Sequence, residues 1–110
     1  CPTGATYTNE DGIVCIDHGR CIGCKYCMAA CPYQARVVDE RTGAVDKCRF
    51  CTVSALNGTE MSTCVTACPA GVRVFGDLDD PDSEVSKVLA ATHATPLLGD
   101  ATKSKIFYVR

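Results

Sequence analysis

The stretch "CIGCKYCMAACP", residues 21–32, decides how this chain reads. Cys21, Cys24 and Cys27 recur at every third position, Cys31 follows four residues later, and Pro32 closes the run. An iron–sulfur cubane needs one thiolate per iron, and CxxCxxC lets one tight loop supply three of them. The backbone N–H groups between the cysteines can turn toward the sulfurs and stabilise their negative charge. A single loop cannot wrap a whole cage, so the fourth thiolate must come from elsewhere. In two-cluster proteins with this spacing, the fourth cysteine ligates the neighbouring cluster. On that pattern Cys21, Cys24 and Cys27 hold one [4Fe–4S] cluster, and Cys31 reaches to another.

Working outward, the Cys-Pro pair proves to be part of a repeat. Its copies read "CPTGATY" from Cys1, "CPYQARV" from Cys31 and "CPAGVRV" from Cys68. Each has two variable residues after the proline, then a small apolar residue, Thr or Arg, and Tyr or Val. The third copy also has cysteines upstream. Cys48, Cys51, Cys64 and Cys68 keep the outer spacings of the first run, with residues 52–63 between the second and third cysteines. By the same logic Cys48, Cys51 and Cys64 hold a further cluster, and Cys68 reaches away.

Two other chemistries use cysteine this densely. Ten cysteines in 110 residues could form five disulfides, but a CxxCxxC triplet cannot readily pair within itself. Cys48, Cys51, Cys64 and Cys68 could form a Cys₄ zinc site, but zinc does not account for the triplet. Cys15 lies outside every copy, in "GIVCID", and reads as a buried free thiol in a strand. His18, just before Gly19, reads as a surface loop residue. Lys25, Lys47 and Arg49 flank ligand cysteines, where a cation favours the reduced cluster and raises its potential; solvated surface charge is the plainer reading. Tyr26 and Phe50, also beside ligands, are expected to shield a cluster from water.

The chain is short enough that its core needs help from bound metal or cross-links. Its net charge is −2, with basic residues scattered singly, which argues against nucleic-acid binding. No apolar run reaches the roughly 18–20 residues that span a bilayer. No leader pattern is visible either, and since residue 1 is Cys rather than Met, that says nothing about export.

Local patterns fill in the rest. "ATYTNEDGIVCID" and "ARVVDERTGAVDK" predict two β-hairpins, turning at Asn-Glu-Asp-Gly and Arg-Thr-Gly. "VRVFGD" is a third strand candidate. Residues 26–31 should make a short helical turn that Pro32 ends. "DDPDSEVSKVLAAT" predicts a helix capped by Asp80, with Pro81 in its first turn and Val85, Val88 and Leu89 on one face. The tail reads as a loop followed by a closing strand at "KIFYV".

Taken together, "CIGCKYCMAACPYQAR", "DKCRFC", "CVTACPAGVRVFGDLDDPDSEVSKVL" and "KIFYV" resemble the electron-transfer (β) subunit of molybdopterin oxidoreductases. The polysulfide, tetrathionate and nitrite reductase branch is the nearest, through its "FGDL-DP-S-VS" stretch. The resemblance covers essentially the whole chain. It implies an α+β, ferredoxin-like iron–sulfur fold of short β-hairpins and short helices around [4Fe–4S] clusters. Residues 1–110 would be the C-terminal part of a larger subunit, with 1–47 in one module and 48–110 carrying the fourth cysteine group, a helix and a strand.

The family has four cysteine groups and four clusters, with ligands crossing between groups. Carried over, Cys1 joins Cys21, Cys24 and Cys27 on one cluster. Cys31 serves a second, Cys48, Cys51 and Cys64 a third, and Cys68 a fourth. The implied function is electron relay without a substrate site, between a molybdopterin catalytic subunit and a membrane quinone-linked subunit. The resemblance implies no membrane span in the chain itself and leaves the side of the membrane open. Spacing alone keeps an alternative alive: a stand-alone soluble two-cluster ferredoxin. In that reading Cys68 joins Cys21, Cys24 and Cys27, Cys31 joins Cys48, Cys51 and Cys64, and Cys1 is spare.

Overall fold

The computed structural model describes residues 1–51 and 62–110. They fall in two compact units, Cys1–Gly58 and Thr59–Arg110.

The first unit is a pair of antiparallel hairpins. Strands β1 (Thr6–Thr8) and β2 (Val14–Ile16) pair with Tyr7 opposite Cys15. Their turn closes where Asn9 accepts the Gly12 N–H through its main chain and the Ile13 N–H through its side chain. An asparagine that mimics a backbone acceptor is a common device of tight turns. Strands β3 (Arg36–Val38) and β4 (Val45–Lys47) pair with Val37 opposite Asp46. Gly43, at φ 71°, supplies the left-handed residue of that turn. Between the hairpins, helix α1 (Tyr26–Ala30) is a single short turn. It ends at Cys31, whose extended backbone suits the residue before Pro32.

The two hairpins lie against each other. Lys47 Nζ donates to the Val14 carbonyl at 2.5 Å and to the Cys48 carbonyl at 2.6 Å. Among the described residues, the only fully buried apolar side chains are Ala5, Ala44 and Val45, all in this unit. That is a very small core, as the chain length leads one to expect.

The second unit carries helix α2 (Thr63–Thr66), helix α3 (Glu84–Ala91) and a hairpin of β5 (Thr95–Pro96) with β6 (Phe107–Tyr108). Three expectations are corrected here. Helix α3 is capped by Ser83 rather than Asp80: Ser83 Oγ accepts the Ser86 N–H at 3.2 Å and donates to the Asp77 carbonyl at 2.6 Å. Asp80 instead shapes the preceding turn, accepting the Asp82 N–H on its side chain and the Ser83 N–H on its carbonyl. Residues 72–77 form no strand. No described strand pairs with these residues, and the Val72 N–H acts instead to lower the Cys68 thiol. The tail forms a β-hairpin with a short 3-10 turn at Gly99–Thr102, where only one strand was expected.

The expected apolar face of α3 is present, with Val85, Val88 and Leu89 all half-buried. Gly76 permits its approach, since a Cβ there would come within 3.1 Å of Val85 Cγ1.

Candidate metal centre

Each Cys-Pro copy folds into the same turn. The carbonyls of Cys1, Cys31 and Cys68 accept the N–H groups of Gly4, Gln34 and Gly71 at 3.4, 3.3 and 3.2 Å. The residue closing the turn is left-handed every time, at φ 67°, 52° and 60°. Two of the three are glycine, the residue that adopts this conformation without strain. The second "variable" position of the repeat is therefore a conformational requirement, and its two glycines were the available signal.

This turn aims backbone donors at sulfur. The Cys31 thiol is held below its ordinary value chiefly by the Ala35 N–H, against the opposing effect of burial. The N–H groups of Tyr33 and Gln34 and the charge of Arg36 add to this. Cys68 is lowered in the same way. The Val72 N–H leads, burial opposes, and the N–H groups of Ala70 and Gly71 and the charge of Arg73 contribute. Consecutive N–H groups around a left-handed residue form a concavity suited to an anion, here a thiolate. Cys64 is lowered first by the Ser62 hydroxyl, then by the Arg73 side chain. The Ser62 hydroxyl lies 3.5 Å from Cys64 Sγ and belongs to a buried residue.

In the first unit, Cys1, Cys21, Cys24 and Cys27 line one open-mouthed cavity. Its empty space, counting the mouth, is about 300 Å³. Cys1 arrives on the first Cys-Pro turn, and the other three on the loop leading into α1. That loop is seated on the second hairpin in two ways. The N–H of buried Val45 donates to Cys21 Sγ at 3.4 Å. Gly23, at φ 66°, packs so closely that a Cβ would stand 2.8 Å from the Gly43 carbonyl oxygen. Cys31 does not line this cavity. In the second unit, Cys64 and Cys68 line a shallow cleft with Arg73. Cys48 and Cys51 lie in the first unit, outside its cavity; the Phe50 N–H donates to Cys48 Sγ at 3.5 Å.

These positions fit a cluster better than a single ion. Among the described residues no three Cys, His, Asp or Glu side chains close around one metal ion. A cubane presents its irons at the corners of a cage, so its thiolates stand apart around a space, as those of the cavity do. Among the described residues no disulfide joins the cysteines.

The remaining residues of interest sort by environment. Cys15 is only half-buried, with its thiol 3.6 Å from the Ile13 carbonyl. His18 lies in a surface network, 3.7 Å from Asp46, which Arg49 binds at 2.7 Å. Of the three cations flanking cysteines, Lys25 lines the cavity. Arg49 is turned to Asp46, and Lys47 to two carbonyls and the face of Phe50. Tyr26 is 71% exposed and covers little in this arrangement. Arg36, which cysteine spacing does not single out, lines the cavity.

Three repeated Cys-Pro turns, short hairpins and sulfur-directed N–H groups define an iron–sulfur protein of the ferredoxin type. The chain belongs to the 4Fe-4S dicluster domain family, which residues 1–78 match, and its cofactors are [4Fe–4S] clusters. It is 51% identical to a polysulfide reductase polypeptide of Wolinella succinogenes, over 99% of this chain and 58% of that protein. It is 46% identical to a tetrathionate reductase polypeptide of Salmonella typhimurium, over 81% of this chain and 35% of that protein. It is 48% identical to the thiosulfate reductase electron transfer subunit PhsB of Salmonella typhi, over 74% of this chain and 43% of that protein. The chain thus spans between about a third and three-fifths of the relatives it matches.

Proposed function

We propose that this chain carries single electrons through [4Fe–4S] clusters as part of the iron–sulfur subunit of a membrane-associated molybdopterin oxidoreductase. The fold around the clusters is the α+β, ferredoxin-like arrangement. The observation that carries this reading is the cavity shared by Cys1, Cys21, Cys24 and Cys27, in a chain whose relatives are named as parts of sulfur-compound reductases. The bound cluster supplies one-electron exchange, with no bond made or broken in a substrate.

The chain's own residues do the rest. Cys1, Cys21, Cys24 and Cys27 hold one cluster, and Cys31 serves a second. Cys48, Cys51 and Cys64 serve a third, and Cys68 a fourth. The Val45 N–H donates to Cys21 Sγ, and the backbone after the Cys31 and Cys68 Cys-Pro pairs directs N–H groups toward sulfur, which eases the addition of negative charge. The partners are a molybdopterin catalytic subunit and a membrane quinone-linked subunit. No helix among the described residues is long and apolar enough to cross a membrane.

Cys1 separates this reading from a stand-alone two-cluster ferredoxin, in which it is spare. In the full-length subunit, Cys1→Ala should lower iron per chain or convert one reduced-state EPR signal. Unchanged iron and an unchanged spectrum would remove Cys1 from the ligand set and favour the ferredoxin.

A further inference from the structure

The sixth residue of each Cys-Pro copy is Thr6, Arg36 or Arg73. Arg20, Arg41 and Arg49 are each paired with a carboxylate, Asp17, Asp39 and Asp46 respectively. Arg36 and Arg73 have no such pair among the described residues, and each lines a cavity walled by cysteines. Arg36 faces the cavity of Cys1, Cys21, Cys24 and Cys27, and Arg73 the cleft of Cys64 and Cys68. Arg36 is half-buried and anchored, its Nη1 donating to Thr6 Oγ1 at 3.2 Å. Thr6 is the corresponding residue of the first copy. Arg36 is thus a fixed, partly desolvated guanidinium without a carboxylate partner among the described residues, set beside thiolates as a charge placed for an anion, and Arg73 holds the equivalent place in an exposed setting.

We propose that Arg36 and Arg73 are the counter-charges that set cluster potentials, a role built into the sixth position of the repeat. The inference rests on the ligand reading above. Each stands beside an assembly that becomes one charge more negative when it accepts an electron, so each stabilises the reduced form and raises the midpoint potential. No bond changes; the electron comes from a one-electron donor and leaves to a one-electron acceptor. Lys25 also lines the first cavity, but no hydrogen bond among the described residues fixes its ammonium as Thr6 fixes Arg36. Arg73 is exposed, so water screens it and its effect should be the smaller of the two arginines'.

The test is a mediated redox titration of the full-length subunit, prepared anaerobically, reduced with dithionite and read by EPR, with iron counted in every sample. Arg36→Gln should keep its iron and lower one cluster's midpoint by about a tenfold change in the redox equilibrium, which is 59 mV for one electron. The affected cluster should be the one that Cys1→Ala perturbs. Arg36→Lys should retain most of the potential, Arg73→Gln should lower a different midpoint, and the paired control Arg41→Gln should change nothing.

Iron-replete Arg36→Gln and Arg73→Gln with wild-type midpoints would overturn the proposal. So would a shift of the same size in Arg41→Gln, or a shift in Lys25→Gln with none in Arg36→Gln. If both Gln variants lose iron while Arg36→Lys keeps it, a positive charge is needed to hold the cluster and the proposal stands. Loss of iron from all three variants makes the arginines structural and overturns it. Failure of the ligand reading shows separately, as a silent Cys1→Ala, and leaves the Arg73 arm intact.

Discussion

Arg36 Nη1 donates to Thr6 Oγ1 at 3.2 Å, joining residues thirty positions apart that hold the same place in two copies of the repeat. Each begins the first strand of its hairpin, right after a Cys-Pro turn. The bond ties the two hairpins together just after each leaves its cysteine turn, beside the cavity that Thr6 and Arg36 both line. Thr6→Val removes the acceptor and keeps the shape. It should cost about 1 kcal/mol, read as a lower denaturation midpoint of the loaded protein under anaerobic conditions.

Two glycines with the same backbone sign should differ in tolerance. Gly4 and Gly23 lie at φ 67° and 66°, but a Cβ on Gly4 meets nothing within 4 Å while one on Gly23 meets the Gly43 carbonyl oxygen at 2.8 Å. Gly4→Ala should therefore cost only the left-handed strain, roughly 1 kcal/mol. Gly23→Ala adds a backbone collision and should exceed it by roughly 1–3 kcal/mol. The sharper readout is iron retention on warming, because Gly23 seats the loop that carries Cys21 and Cys24. Equal losses from both variants would contradict this account.

The capping of α3 is tested by a pair of substitutions. Ser83→Ala removes the acceptor of the Ser86 N–H and should destabilise the helix by about 1 kcal/mol. Asp80→Ala, acting only on the preceding turn, should cost less. Amide exchange in residues 84–91 gives the comparison. Faster exchange in Asp80→Ala than in Ser83→Ala would restore Asp80 as the cap.

Asp46 provides a pH dependence with a definite sign. Burial pushes its carboxyl up, but the Arg49 hydrogen bond, the Lys47 N–H and the charges of Arg49 and His18 outweigh it, so it lies below the ordinary 3.8. A depressed carboxyl contributes stability above the unfolded value, lost as pH falls through the folded one. Asp46→Asn should therefore cost stability at neutral pH, and the difference from wild type should shrink below pH 3.8. The effect should be small, because Arg49 is half exposed and solvent screens the pair. Denaturation midpoints of both proteins across pH would show it; a gap that widens toward acid would refute it.

Much of this was legible in the residues. The turn signals around Asn9 and Gly43 placed both hairpins of the first unit, and the cysteine spacing placed α1 with Pro32 behind it. What escaped was set by contacts between distant residues. "VRVFGD" has the composition of a strand, but no described strand pairs with it. Asp80 and Ser83 are both good caps, and the choice turned on the Asp77 carbonyl, to which the Ser83 hydroxyl donates and a carboxylate cannot. In the tail, read as a loop before "KIFYV", Thr95–Pro96 pairs with Phe107–Tyr108, an edge position that tolerates proline. Arg36 and Arg73 were visible as part of a repeat, but their lack of a carboxylate partner is a fact of three dimensions.

With Ala5, Ala44 and Val45 as the only fully buried apolar side chains among the described residues, the polypeptide has little to hold it together without its cofactor. Chelating the iron under air should abolish the far-UV circular dichroism of the hairpins along with the visible colour, in one transition rather than two. Retention of native dichroism after full iron loss would show a self-sufficient fold.

A single transition would also have a consequence in the cell. Newly made polypeptide would then have no stable resting form in which to await its cofactor, and cluster delivery and proteolysis would compete for it. Its abundance would follow iron and sulfide supply, set after translation by whichever of the two arrives first.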